Sequence, residues 1–218
     1  NLPHAPAELA LLPAGRANNV ARALGIPLDL AAAAELATNG SARRIDLIAA
    51  TNGTRSTFAV EGASVGLHAV ARAQYHAPNS ADVGAALRSA ISAARRFDGV
   101  TICVSSDGRA ELIDVGQLFV ANLSLYAFGL EVAPGARADD GLLDVVALPW
   151  EGRARIVPTI ARLRRGTHVE REGTRRWTAR RVRIATGGQS PVIADTTNLG
   201  AGTVTLEVAP AALAVVTP

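Results

Sequence analysis

Residues 133–145 read APGARADDGLLDV, a loop that runs without a break into an apolar strand. A Pro-Gly pair opens it, Asp139 and Asp140 stand side by side, and Gly141 follows. Leu142, Leu143, Val145 and Val146 then begin a buried run, with a third acid, Asp144, inside it. Turn residues on one side and strand residues on the other hold a carboxylate at the lip of a sheet. Such a lip suits a metal ion or a phosphate. It equally suits a plain β-turn closed by its own aspartate, and spacing alone leaves both open.

The rest of the chain supplies the sheet. Residues 8–13 (ELALLP) read as a short buried strand and 14–19 as a turn. Val20, Ala21, Leu24 and Ile26 then keep helical spacing, with Asn18 or Asn19 as N-cap and Gly25-Ile26-Pro27 as the stop. Strand, glycine turn and helix start in succession let backbone N–H groups meet phosphate. A helix merely packed on a sheet makes the same pattern. An Ala-rich helix follows at 30–37, closed near Asn39-Gly40. Beyond it the texture becomes strand-like. Runs at 44–50 and 57–63 flank Asn52-Gly53, a hairpin signal. Helices are expected at 64–73 and at 82–96, the second capped by Asp82. Strands are expected at 99–104, 109–115 and 117–123, with a tight turn at Ser106-Asp107-Gly108, then at 142–149. A helix at 156–163, one half-buried strand at 178–185 and short strands at 191–194, 202–208 and 212–216 complete the pattern.

Composition narrows the class. The 218 residues are 49% hydrophobic, enough for a substantial core, and no apolar run approaches the ~20 residues that span a bilayer. Residues 1–8 have neither a basic nor an apolar targeting region, so no signal peptide is expected. The single cysteine, Cys103, excludes an internal disulfide and a cysteine-built metal centre, and its apolar run predicts a buried thiol. All 22 basic residues are arginine, so the lysine of a Walker A loop is missing. Eleven of them fall at 153–183, a cluster that faces either anionic lipid, nucleotide phosphate or plain solvent. His68, His76 and His168 are scattered, and no role is assigned to them.

Taken together these stretches resemble the diacylglycerol kinase catalytic-domain superfamily, which includes bacterial lipid kinases and sphingosine kinases. Pro13-Ala14-Gly15-Arg16-Ala17-Asn18-Asn19-Val20-Ala21-Arg22 resembles its P-x-G-T-x-N-D-x-A-R motif, and Phe58 with Ala63-Ser64-Val65-Gly66 resembles F…ASxG. Val120-Ala121-Asn122 followed by residues 133–145 resembles NG…APxAxxDDGLLDV, the most specific match. Ile193-Ala194-Asp195-Thr196-Thr197, with Val208-Ala209-Pro210 after it, stands where the family carries D-G-E and its final strands.

The resemblance implies an α+β chain, mostly an antiparallel β-sandwich. Residues 1–40 would be a remnant of the α/β nucleotide-binding domain and 41–218 the lipid-kinase C-terminal domain, with the final strands returning to the first. The family's G-G-D-G-T is absent, as is Met, and both fit an N-terminally truncated chain. The implied reaction moves the ATP γ-phosphoryl group to a lipid hydroxyl of diacylglycerol or sphingoid type. Gly15, Arg16 and Asn18 would border the nucleotide. Asp195 would take the catalytic position, and Thr197 stands where the family has its basic glutamate. Mg²⁺ would lie on Asp140 and the carbonyls of Arg137 and Leu142, as a structural or regulatory ion. Partners implied are a lipid substrate, an anionic membrane surface and a homodimer through open sheet edges, with no nucleic acid. The expected location is cytoplasmic, with peripheral attachment to the inner membrane face.

Two departures open a second possibility. Arg16 replaces a Thr and either holds phosphate or fills the pocket, while Thr197 has no titratable group near neutral pH. The alternative is a catalytically impaired homologue acting as a lipid- or partner-binding domain. In either case the chain by itself is expected to be inactive; on the first reading the kinase activity belongs to the full-length parent.

Overall fold

Alternating apolar and polar residues dominate the chain after residue 40, and they build two stacked sheets. The computed structural model describes residues 7–74 and 83–218. In order, its elements are β1 (Glu8–Leu9), α1 (Asn19–Ala23), α2 (Leu30–Asn39), β2 (Ser41–Thr51), β3 (Ser56–Ala59), β4 (Gly62–Gly66), α3 (Leu67–Ala73) and α4 (Val83–Arg96). Then come β5 (Val100–Ser106), β6 (Arg109–Val115), β7 (Gln117–Ala121), β8 (Leu125–Tyr126), β9 (Leu130–Glu131) and β10 (Leu143–Leu148). Last are α5 (Ile156–Leu163), β11 (Arg175–Ala179), β12 (Arg181–Ala185), β13 (Pro191–Ala194), β14 (Thr197–Ala201) and β15 (Thr203–Thr217).

One sheet runs β3-β2-β15-β12-β5-β6, with β1 joined in parallel to β15; the other runs β11-β10-β7-β4-β13-β14. The other pairings among the described residues are antiparallel. Ile48, Ile102, Ile184 and Leu206 of the first sheet meet Val65, Leu118, Val145 and Val192 of the second in one buried core. Each such side chain contributes about 1.5–3 kcal/mol by leaving water. The chain is thus the α+β protein expected, dominated by an antiparallel sandwich.

A second core joins the N-terminal helices to this sandwich. Ala21, Leu24, Ile26 and Ala33 of the α1–α2 region pack against Ile45 of β2 and Val215 of β15. β15 changes register between Ala209 and Leu213, where Ala211 takes φ 50°. Above that bulge β15 serves the sandwich, and below it the helices. A third core forms where Leu163 of α5 packs over Phe119, Tyr126 and Val146.

Several local expectations change. Residues 8–13 are not a buried strand: only Glu8 and Leu9 pair, and both are exposed because nothing among the described residues covers them. Asn18 occupies the N-cap position of α1, but its side chain does not cap the helix. Residues 64–66 belong to β4 rather than to the helix, since Ser64 and Val65 are paired on both sides and Gly66 with β7. The run 178–185 divides at Arg180, with Thr178 and Ala179 pairing β10 while Arg181 onward pairs β15 and β5. Alternation continues through the crossing, so periodicity cannot register a change of sheet. Residues 197–201 add a strand that was not expected, and 203–217 form one strand, not two. Cys103 is only half-buried, on the opposite face of β5 from Ile102 and Val104. Asp82 and His76 lie outside the described residues, as do residues 1–6.

Candidate functional site

The loop before α1 is held shut by one side chain. Asn18, at φ 50°, ψ 40°, accepts a hydrogen bond from the Gly15 N–H (3.0 Å) through Oδ1. Its Nδ2 donates to the carbonyls of Pro13 (3.1 Å) and Gly15 (3.0 Å). A Cβ on Gly15 would come within 2.9 Å of Asn18 Oδ1, so the closure needs glycine there. Arg16 stands exposed at the tip.

The next residue connects this loop to the sandwich. Asn19 is buried and donates from Nδ2 to the Glu61 carboxylate at 2.9 Å. That bond fixes the amide orientation and leaves Asn19 Oδ1 buried with no hydrogen-bond donor among the described residues. Glu61 lies between β3 and β4. Its backbone is gripped by Asp195, in the two-residue turn between β13 and β14 where Ala194 pairs Thr197. The Asp195 carboxylate accepts from the N–H groups of Val60 (2.7 Å), Glu61 (3.1 Å) and Gly62 (3.0 Å). Its own N–H donates to the Gly62 carbonyl at 2.9 Å. Asp195 takes φ 47°, a left-handed conformation that an aspartate tolerates.

Burial sets the electrostatics. It raises the Asp195 carboxyl, opposed by the three backbone N–H groups. It pushes Glu61 up to about 6, with the Asn19 hydrogen bond opposing and the Asp195 charge adding. The Tyr126 hydroxyl, raised chiefly by burial, donates to the Asp195 carbonyl at 3.3 Å. Ser64 contacts Tyr126 and lies 2.9 Å from Nδ1 of His68, whose ring meets Tyr126 edge-on at 5.3 Å. Burial, then the Arg72 charge, drops His68 to about 4, so it is neutral at pH 7. Thr197 sits half-buried in β14.

The β8–β9 hairpin passes over this cluster. Ala127, Phe128 and Gly129 take φ 45°, 63° and 80° in succession, and a Cβ on Gly129 would lie 3.9 Å from Asn19 Oδ1. Phe128 is 71% exposed, an apolar side chain left in solvent beside a polar cluster.

The 133–145 loop is anchored separately. Buried Asp46 accepts from Gly141 N–H (2.8 Å) and, at the β15 bulge, from Ala211 N–H (2.7 Å). Asn122 donates to the carbonyls of Asp46 (2.9 Å) and Val60 (3.0 Å), so the loop is linked to the segment that Asp195 grips. Asp140 is exposed and accepts from Leu142 N–H at 3.0 Å. Asp139 pairs with Arg137 at 3.2 Å and Arg43 at 3.8 Å. No cluster of three or more His, Cys, Asp or Glu side chains suited to a metal occurs among the described residues. An ion at Asp140 would therefore rest on one carboxylate and backbone carbonyls, an oxygen-only set that a hard cation accepts.

The structure thus gathers Asp195 and the Asn18 loop around Glu61 and Asn19. It keeps Arg137, Asp140 and Leu142 in a neighbouring loop. Glu61 and Asp46 were not singled out from the sequence, and Asn19 only as a possible helix cap and as a motif position where the family has Asp. Asp46 had a signal, as a lone acid within the apolar run RIDLIAA. A groove of about 340 Å³ lined by Ser106, Arg109, Glu111, Arg175, Arg176 and Trp177 lies along β11, the opposite edge of the sheet from β14. Its Arg175 and Arg176 are already paired with Glu111 and Asp144, both at 2.7 Å.

Comparison with known proteins gives a consistent picture. Residues 62–217 match the family described as the YegS C-terminal NAD kinase beta sandwich-like domain, and residues 2–50 match the diacylglycerol kinase catalytic domain. A protein named probable lipid kinase YegS-like from Pseudomonas fluorescens is 36% identical over 154 residues, 66% of this chain and 48% of that protein. One of the same name from Pseudomonas aeruginosa is 36% identical over 152 residues, 66% of this chain and 46% of that protein. The chain thus spans about half the length of these curated relatives. A crystal structure of a diacylglycerol kinase from Bacillus anthracis str. Sterne superposes with TM-score 0.65 at 17% identity, over 94% of this chain and 64% of that one. Another structure from that organism reaches 0.72 at 19% identity, over 94% and 66%. At these identities the structures speak for the fold.

Proposed function

We propose, because this chain belongs to the diacylglycerol kinase catalytic-domain superfamily with a YegS-type C-terminal sandwich, that it is the C-terminal portion of an ATP-dependent lipid kinase. One observation carries this: Asp195 grips the Val60–Gly62 backbone while Glu61 reaches Asn19, directly after the Asn18-closed loop. A loop built to meet phosphate is thereby joined to the sandwich that faces the acceptor.

Phosphoryl transfer depends on positioning and on neutralising charge. Gly15, Arg16 and Asn18 border the nucleotide, and the Arg16 guanidinium contacts phosphate. Asp195 works through the backbone it holds, since both its oxygens are taken by N–H groups. The acceptor is a lipid alcohol of diacylglycerol or sphingoid type. Exposed Phe128, at the tip of the β8–β9 hairpin beside Asn19, meets its tail. Asp140, with the carbonyls of Arg137 and Leu142, would hold a structural or regulatory Mg²⁺, which would offset the negative charge of the loop that Asp46 anchors. Residues 1–40 belong to the nucleotide domain, and β15 returns to it below the bulge. An anionic membrane face engages α5 and its arginines, and no helix among the described residues is long and apolar enough to cross a bilayer.

Arg16 and Thr197 favour a second possibility, a lipid-binding homologue without transfer. The test is the full-length protein with MgATP and vesicles carrying diacylglycerol, monoacylglycerol or sphingosine. Phosphorylated lipid is expected, with Asp140→Ala weakening Mg²⁺ binding by calorimetry. Lipid binding with no product from any acceptor would favour the homologue without transfer.

A further inference from the structure

We propose that Glu61 is the general base that takes the proton from the lipid hydroxyl. This rests on the kinase assignment above and names a residue within the same site.

The cluster contains six groups able to hold or pass a proton, and geometry and basicity remove five. Asp195 has both carboxylate oxygens committed to backbone N–H groups, at 2.7 Å on one and 3.0 and 3.1 Å on the other. Protonating it would break the grip on residues 60–62. His68 is buried behind Ser64, against the Tyr126 ring, and its low basicity makes it a poor acceptor. Tyr126 spends its hydroxyl proton on the Asp195 carbonyl. Ser64 and Thr197 carry hydroxyls that do not ionise near neutral pH. Glu61 remains. It is half-buried rather than sealed, and Asn19 occupies only one of its oxygens, Oε2.

A second observation points to a donor beside that carboxylate. Asn19 is 6% exposed, its Nδ2 is bound to Glu61, and its Oδ1 is buried without a donor. Buried acceptors of this kind are uncommon, because each costs about 1–3 kcal/mol when left unsatisfied. A lipid hydroxyl at this point meets two acceptors, Asn19 Oδ1 and Glu61. Its single proton bonds one acceptor at a time: Asn19 Oδ1 receives the O–H as the alcohol arrives, and the proton then turns to Glu61, which takes it as the oxygen attacks. The β8–β9 tip lies directly over Asn19 and carries the exposed Phe128, so the apolar remainder of such an alcohol has a matching neighbour.

In the step, the alcohol O–H breaks and its proton passes to a Glu61 oxygen. The alcohol oxygen bonds to the γ-phosphorus of a nucleoside triphosphate. The bond to the β–γ bridging oxygen breaks, and its electron pair leaves with the nucleoside diphosphate. A carboxyl near 6 is ionised at neutral pH yet basic enough to accept the proton. The groups that set it are burial, Asn19 of α1 and Asp195 of the β13–β14 turn. Tyr126 of β8, which also feels Arg72 of α3, faces the same carboxyl.

The experiment compares full-length wild type, Glu61→Gln and Glu61→Asp, with MgATP and diacylglycerol vesicles, from pH 5 to 9. Glu61→Gln should lower kcat by roughly 10²- to 10⁴-fold, with KM for ATP changed little. Wild-type kcat/KM should fall on the acid side with an apparent pKa near 6. Glu61→Asp should keep that limb at reduced rate, and Glu61→Gln should lose it. Carbon-detected NMR of wild type should show the Glu61 carboxyl titrating in the same range without substrate. An active wild type whose Glu61→Gln keeps rate and acid limb overturns this inference and leaves the kinase assignment standing. A wild type that phosphorylates no acceptor overturns both.

Discussion

Glu61 should leave a mark on stability as well as on rate. Its folded pKa, about 6, lies above the usual 4.5, so folding favours the neutral carboxyl. That contribution is fully present below pH 4.5 and is lost as pH rises through 6. The shift corresponds to about 2 kcal/mol. Urea unfolding of wild type and Glu61→Gln should therefore diverge between pH 4 and 7, the variant gaining relative stability by about that amount and then holding it. Parallel curves would mean that Glu61 is not desolvated in the fold. This residue was not legible in the sequence. TFAVEGA read as one continuous strand, and nothing in its pattern set Glu61 apart. What makes it unusual comes from Asn19, 42 positions away, and Asp195, 134 positions away. Asp195 itself was visible through its motif. Its three N–H partners were not, since backbone groups leave no trace in composition.

Among the elements, the β8–β9 hairpin carries the most strain. A bulky residue at positive φ costs roughly 1–3 kcal/mol, and Phe128 sits at 63° directly after Ala127 at 45°. Phe128→Gly should relieve most of this, offset by the entropy of glycine, for a net gain of about 1 kcal/mol. The thermal midpoint should rise, while KM for the lipid acceptor should rise with it because the exposed ring is gone. A lower midpoint would show that the ring packs on the protein. Elements with strong periodicity were readable: α5 and β13 fall on the expected residues, and Asn52-Gly53 does turn β2 into β3. Failures occurred where the chain changes partner without changing pattern. Arg180 crosses between sheets inside unbroken alternation, and β4 runs straight into α3 at Gly66 (φ 105°). Turn residues mark reversals well but carry no label for which sheet comes next.

At the scale of the molecule, charge and apolar surface coincide on α5. Val157 is 75% and Ile160 44% exposed, and Arg153, Arg155, Arg162, Arg164 and Arg165 surround them. Arginine around an exposed apolar face matches a surface with anionic headgroups above hydrocarbon. The protein should sediment with vesicles containing phosphatidylglycerol and much less with phosphatidylcholine alone, and salt should release it. Val157→Asp with Arg164→Ser should reduce that binding, whereas equal binding to neutral vesicles would remove the electrostatic component. The sandwich and the order of motifs were legible because alternation and turns repeat along the chain. The joining of α1 and α2 to the sandwich was not, because it depends on one strand serving two cores.

β15 has a consequence for how the molecule assembles. β2 lies between β3 and β15, and Arg44 of β2 reaches Ala211, 167 positions away. Helices α1 and α2 need Val215 to complete their packing. Neither core can therefore close around the early residues until the late strand has been made and has found its place. Contacts this distant in sequence slow folding and leave edges open while it proceeds. During synthesis β2 and the Asn18 loop must wait, exposed, for almost the whole described chain. A nascent chain of this protein is then most vulnerable to mispairing just before β15 arrives, and a protective partner at that stage would need to cover β2.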